Sequence, residues 1–206
     1  MSGHLFVITA ASGTGKTSLV REITSTDDNL KISISYTTRP PRPNDIEGVD
    51  YFFVDTAQFE SMIAADDFLE YAHIYGNMYG TSIAWVKKEL KEGHDVILEI
   101  DWQGALNVKK HFPDCVSIFI LPPSIEILRE RIVKRGQDDV DVIERRMQCA
   151  MEEISHYHEF DYLVVNDDFN KAASDLRSIM HSTRLKEQYV EEDYADLIGK
   201  LLRRRD

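Results

Sequence analysis

The chain of 206 residues has only two cysteines, six prolines and ten glycines. With so little proline and glycine, and 43% hydrophobic residues, neither a disordered chain nor a collagen-like repeat is compatible with it. Cys115 and Cys149 stand outside any C-x-x-C spacing, so they read as reduced thiols rather than a staple or metal clip. Long apolar runs are missing as well. Leu5–Ile8 and Ile118–Leu121 are far too short to span a bilayer. A basic leader with a cleavage site is also missing, so the sequence predicts a cytoplasmic protein. Positive charge is scarce: 24 Lys and Arg face 36 Asp and Glu, a formal net charge of −12. Such a surface repels nucleic acid and anionic lipid, so neither is an expected partner. An anionic ligand must be small and held in a locally basic pocket. No internal repeat is visible, and the length suits one domain with a sizeable core. A homo-oligomer is compatible with the sequence.

Four short apolar runs suit strands buried on both faces: His4–Thr9, Asp95–Ile100, Val116–Leu121 and Tyr162–Val165. Helical patterns lie over Lys16–Thr24, over Ser82–Glu92 before Gly93, over Ile125–Arg135 before Gly136, and over Ala172–Tyr189. Strands alternating with helices predict an α/β fold with a parallel core sheet. The stretch from Lys31 to about Tyr79 differs. Lys31–Tyr36 alternates as a strand, and the prolines among Thr37–Pro43 forbid a helix. Glu47–Val54 reads as a turn and strand, and Phe59–Phe68 as a short helix. An inserted, β-rich second lobe is expected there.

Directly after the first apolar run comes Ala10-Ala11-Ser12-Gly13-Thr14-Gly15-Lys16-Thr17. This is the G-x-x-x-x-G-K-[ST] spacing with Ala at the first position. Gly13 and Gly15 let consecutive backbone N–H groups turn inward around phosphate oxygens. The following helix offers its N-terminus to the same anion. Lys16 supplies a charge for the β and γ phosphates, and Thr17 a hydroxyl for Mg²⁺. A nucleoside triphosphate site is expected. Strand periodicity places Glu99 and Asp101 on one face at the carboxyl end of their run, where ligands of open α/β sheets bind. Asp101 suits Mg²⁺, directly or through water, or a second substrate. The plainer alternative is a cap for the next helix.

An acidic protein that gathers arginines has an anion for them. Arg39 and Arg42 lie in a proline-stiffened segment. Arg131 and Arg135 are i and i+4 on one helix, where like charges repel unless an anion bridges them. Arg145 and Arg146 follow the polar stretch Gln137–Asp141. Arg203-Arg204-Arg205 reads as a solvated tail. Arginines with a phosphate loop suggest phosphoryl transfer, which needs positioning and charge neutralisation more than a protein nucleophile. No G-x-S-x-G elbow or Cys–His signature is present. The seven histidines lack metal-ligand spacing, and His156 and His158 read as surface or structural.

The phosphate loop, Ser35-Tyr36-Thr37-Thr38-Arg39-Pro40-Pro41-Arg42, Gly48–Phe53, Phe68–Ala72, Gly76-Asn77-Met78-Tyr79-Gly80-Thr81, Glu99–Gly104 and Val164–Asp167 together resemble the bacterial guanylate kinase family, end to end. The resemblance implies transfer of the γ-phosphoryl group of ATP, with Mg²⁺, to GMP or dGMP. It implies a phosphate-loop core (1–33, 91–123, 156–206), a GMP-binding lobe at 34–90 and a helical lid at 124–155. Carried over by position, residues Ala10 to Thr17 and Asn166 would hold ATP, with Asn166 near the adenine. Ser35, Glu70, Thr81 and Asp101 would contact guanine, while Arg39, Arg42, Tyr51 and Tyr79 would clamp the GMP phosphate. Lys16, Arg39, Arg131, Arg135 and Arg146 would neutralise the transferring group. The family often has Ser at the place of Thr81 and Asp at the place of Glu99. Thr81 keeps the hydroxyl, and the individual role of Glu99 beside Asp101 stays open.

The base contacts make chemical sense by themselves. Guanine offers N1–H and N2–H₂ side by side, and a carboxylate such as Glu70 accepts both, while O6 accepts from a hydroxyl such as Thr81. Three rivals remain: a non-catalytic phosphopeptide-binding module, a kinase for a ribose bisphosphate, and a nucleic-acid-stimulated ATPase. The intact Gly15-Lys16-Thr17, the Ser35, Glu70 and Thr81 set, and the net charge argue against them in turn.

Overall fold

The computed structural model describes residues 3–43, 45–74, 76–135 and 140–203, excepting the side chains of Arg135, Val140, Glu187, Glu192 and Asp193. The expected helix stop at Gly136, most of the polar stretch 137–141, and Arg204 and Arg205 of the tail lie outside the described residues.

Nine strands and eight α-helices follow one another among the described residues. β1 (Leu5–Ala10) runs down the middle of a five-stranded sheet, flanked by β7 (Asp95–Glu99) and β8 (Val116–Leu121). β2 (Leu30–Ile32) and β9 (Tyr162–Val165) form its edges, and every pairing is parallel. Strand periodicity splits β1 between two cores. Phe6 and Ile8 join Leu19, Val20 and Ile23 of α1 (Lys16–Thr24) and Leu176 and Met180 of α7 (Phe169–Arg184). Leu5 and Val7 face the other way, toward Val86 of α3 (Ile83–Lys91) and Ala105 and Val108 of α4 (Trp102–His111). This three-layer α/β arrangement agrees with the expected fold class.

The inserted segment makes a separate sheet in the order β4-β3-β6-β5, from Phe52–Phe53, Tyr36–Thr37, Asn77–Ser82 and Phe68–Ile74. β3 pairs with β4 in parallel and with β6 antiparallel, and β5 with β6 antiparallel. Its small core is Phe59, Phe68 and Met78, with the Phe59 and Phe68 rings stacked 4.5 Å apart. Gly80 is required beneath that stack, because a Cβ there would lie 2.8 Å from the Phe68 ring.

Three expected elements are corrected. The helix expected over Phe59–Phe68 is α2 (Thr56–Ala64), started by Asp55, whose carboxylate accepts from the Gln58 N–H. Phe68 belongs instead to β5, after Asp66 turns the chain with φ 57°. The single strand expected over Lys31–Tyr36 is two, β2 in the core sheet and β3 in the other, because the chain changes sheets between them. The long helix expected over Ala172–Tyr189 ends at Arg184, and α8 (Glu187–Leu202) begins after a break at Leu185 and Lys186. Two further helices, α5 (Ile125–Arg135) and α6 (Val140–Ser155), pack on the phosphate loop through Leu128, Ile132, Met147 and Ala150 against Ala11.

Candidate active site

β1 delivers the chain to the phosphate loop and α1 carries it away. Gly13 and Gly15 adopt φ of 90° and 99°, a region that glycine enters without strain. Gly15 is needed for a second reason, since a Cβ there would stand 2.7 Å from the Asn166 amide nitrogen. Among the described residues no side chain caps α1, so its first-turn N–H groups are left for an anion. The loop is braced from outside. Asn166 Nδ2 donates to the Thr14 carbonyl at 2.7 Å, Arg131 donates to the same carbonyl at 3.2 Å, and its second amino group donates to the Asn166 carbonyl at 3.3 Å. Asn166 thus braces the loop. The Thr14 hydroxyl is buried and, among the described residues, has no hydrogen-bond partner.

Lys16 is half-buried, with Nζ 3.5 Å from the Ile100 carbonyl. Burial lowers its pKa, and Glu99, Glu153, Asp101 and Glu70 act against that fall. The Thr17 hydroxyl donates to Glu99 Oε2 at 3.1 Å. Asp101 takes the plainer role weighed for it, capping α4 by accepting from the Gly104 N–H at 2.7 Å, and also faces the cavity. The hydroxyl of Thr17 and the carboxylates of Glu99 and Asp101 form a set of hard oxygen donors beside Lys16, which fits Mg²⁺.

One cavity of about 390 Å³ begins at the phosphate loop and ends at Ser35 and at Glu70 and Tyr79 of the inserted sheet. At that far end, β5 and β6 pair Glu70 with Thr81, whose hydroxyl donates to Glu70 Oε1 at 2.6 Å. Glu70 is only 8% exposed. Burial pushes its carboxyl up to about 7, and Asp101 adds to the rise, while the Thr81 hydrogen bond and Lys16 oppose it. Gly104 on α4 makes the room, since a Cβ there would lie 3.0 Å from Glu70 Oε2. An adjoining cavity of about 410 Å³ brings Arg39, Arg42, Tyr51 and Tyr79 around one space next to Thr17. Asp45 organises it, pairing with the Arg39 guanidinium at 2.7 Å and accepting from the Arg42 N–H at 2.8 Å. The Tyr51 ring stands 5.2 Å under the Arg39 guanidinium.

From the helical pair, Arg131 reaches Thr14 as described, and Arg146 donates to the Ser12 hydroxyl at 3.3 Å. The Arg135 side chain lies outside the described residues. All the other expected site residues converge on the two cavities or on the loop that walls them. Sequence reasoning missed Asp45, Gly104 and Glu153, the last of which accepts from the Ser12 N–H at 3.2 Å. Asp45 had a readable signal, an acid three residues after Arg42 in the stiffened segment. Gly104 closes the Glu99–Gly104 motif, but nothing local showed its contact with Glu70, and Glu153 had no signal, because both rest on contacts far apart in the chain. His156 stacks on Trp102 at 3.4 Å and pairs with Glu159, a structural role, and His158 bonds the Ser155 carbonyl at the surface. The group Glu89, Glu92 and His94 is compact enough for an ion, but Lys88 already pairs with both glutamates. Both cysteines are free, Cys115 buried with its thiol pushed up to about 11 by that burial.

Residues 2–183 match the family model described as Guanylate kinase. Among curated proteins, the guanylate kinase of Coxiella burnetii is 53% identical over 199 residues, covering 97% of each chain. That of Nitrosococcus oceani is 54% identical over 202 residues, covering 98% of this chain and all of its own. Among solved structures, a guanylate kinase from Anaplasma phagocytophilum superposes with a TM-score of 0.75 at 31% identity, covering 90% of this chain and 88% of its own.

Proposed function

The chain belongs to the guanylate kinase family and phosphorylates GMP using ATP, and on that premise we propose that the buried Glu70–Thr81 pair reads the guanine while the phosphate loop holds the triphosphate. The observation that carries this division is a single cavity with Lys16 at one end and a buried carboxylate at the other. Among the described residues that carboxylate is met by Thr81, whose hydroxyl donates to it. Guanine would bring two N–H donors to it and leave the Thr81 hydroxyl free to turn toward O6. Adenine lacks the two donors and would leave the carboxylate unpaired.

The roles of the remaining residues follow from charge. Arg39 and Arg42, held by Asp45, and the Tyr51 and Tyr79 hydroxyls take the GMP phosphate. The inward N–H groups of the loop and Lys16 take the β and γ phosphates of ATP. An oxygen of the GMP phosphate attacks the γ-phosphorus, the bond from that phosphorus to the β–γ bridging oxygen breaks, and ADP leaves with the electron pair. No covalent step falls to the protein, which supplies position and positive charge. Lys16, Arg131 and Arg146 neutralise the transferring group, and Arg135 is assigned with them by its place four residues after Arg131. Thr17, Glu99 and Asp101 would hold Mg²⁺, which neutralises triphosphate charge when bound. Asn166 braces Thr14 and stands with the ATP-binding residues, near the adenine. The inserted sheet at 34–90 and the helices at 124–155 act as two lobes that close on the core at 1–33, 91–123 and 156–206.

We place the protein in the cytoplasm, supported by its acidic charge, and no described helix is long and apolar enough to cross a membrane. The test is a coupled ADP-release assay across GMP, dGMP, AMP, UMP, CMP and ribose bisphosphate. Turnover with GMP and dGMP alone is expected. Comparable turnover with AMP or the sugar phosphate would remove Glu70 as the reader of the base.

A further inference from the structure

The lid helix α6 meets the phosphate loop in three places. Its apolar seam, Ile143, Met147, Ala150 and Ile154, packs on Ala11 together with Leu128 and Ile132. On the flank of that seam stand Arg146 and Glu153, seven residues and two turns apart. Both end on the same residue of the loop. Arg146 donates to the Ser12 hydroxyl at 3.3 Å, and Glu153 Oε2 accepts from the Ser12 backbone N–H at 3.2 Å. The Ser12 N–H is therefore satisfied by the protein's own carboxylate. Glu153 also faces Lys16 and lines the cavity in which the two phosphates must meet.

We infer that Glu153 is a positioning residue: by gripping the Ser12 N–H it locks α6 to the phosphate loop in the register that sets Arg146 over the transferring phosphoryl group. An apolar seam alone specifies this poorly. Small slides along Ala11 cost little, yet they would carry a guanidinium at the end of a long side chain by an ångström or more. A hydrogen bond to a fixed backbone group removes that freedom. A carboxylate suits the place because the donor is a main-chain N–H at an anion-binding turn. Partial burial raises the Glu153 carboxyl, and the Ser12 N–H and the charge of Lys16 hold it down. This inference rests on the role proposed above for Arg146.

The test is a double-mutant cycle with Glu153→Ala, Arg146→Ala and the pair combined, reading kcat and the KM of each substrate. Misplacement of a charge by about 1 Å is worth on the order of 10- to 100-fold in rate. Glu153→Ala is expected to lower kcat at least tenfold while the GMP KM stays within about twofold. The double variant should be no slower than Arg146→Ala, because Glu153 acts through Arg146. Glu153→Gln keeps an acceptor oxygen for the N–H and should recover kcat to within about threefold of the wild type. A wild-type kcat in Glu153→Ala, or losses that multiply in the double variant, would overturn the inference. Should Glu153→Ala melt below the assay temperature, Glu153→Gln and Glu153→Asp carry the test. The shortened Asp must be slow and Gln must not, and equal losses overturn the clasp. A normal kcat in Arg146→Ala would strike instead at the role of Arg146, a separate failure.

Discussion

Glu70 offers a titration that reads base recognition directly. Its carboxyl is pushed up to about 7 by burial, against an ordinary value of 4.5. Only the ionised form can accept both guanine N–H groups, so GMP must select it. At pH 6 roughly one molecule in eleven is ionised, which weakens apparent GMP affinity about tenfold relative to pH 8, and the factor is about two at pH 7. Calorimetry of GMP binding from pH 6 to 8 should show that slope. Glu70→Gln should bind GMP more weakly and narrow the preference for GMP over IMP, which lacks the 2-amino group. The part of the slope owed to Glu70 should vanish in the variant, leaving only ionisation of the ligand phosphate. Stability runs in the opposite sense. The folded protein holds a proton on Glu70 that the unfolded chain releases at lower pH. Its contribution is therefore full below about 4.5 and lost as pH rises through about 7. The difference is on the order of 3 kcal/mol at pH 8, so Glu70→Gln, whose amide still accepts from Thr81, should melt several degrees higher there. A wild-type binding curve flat from pH 6 to 8, or the same slope in the variant, would refute the reasoning.

Other changes act at single points of the same site. Lys16→Met should abolish phosphoryl transfer and leave the melting temperature near or above that of the wild type, since a partly desolvated charge is removed; near-normal turnover would overturn the phosphate-loop assignment. Gly104→Ala puts a methyl 3.0 Å from Glu70 Oε2, so the GMP KM should rise with the ATP KM unchanged, and equal rises would place the damage elsewhere. Small-angle scattering with GMP and a non-hydrolysable ATP analogue should show a smaller radius of gyration than the free protein, and an unchanged radius at saturation would count against lobe closure.

The elements of the core were legible because their signals are local. Apolar runs such as Val116–Leu121 sit between turn residues, and Gly13, Gly15, Lys16 and Thr17 carry their chemistry in consecutive positions. The inserted lobe was legible as different in kind, and β4 falls inside the strand read over Glu47–Val54, but the bounds of α2 and the β5–β6 pair were not legible. Phe68 continues a helical pattern with Phe59 in sequence, yet in three dimensions its ring stacks on Phe59 from a strand, because Asp66 reverses the chain. Periodicity cannot register such a turn. The same limit applies at the site. The sequence by itself determined which groups exist: a phosphate loop, an arginine-rich clamp, a carboxylate with a hydroxyl. Tertiary structure decided their states. Glu70 rises to about 7 because β6, α4 and the neighbouring Asp101 surround it, and Ser12 gains two partners from a helix more than 130 residues away. Burial and long-range hydrogen bonds belong to packing, and packing is written in contacts rather than in neighbours along the chain.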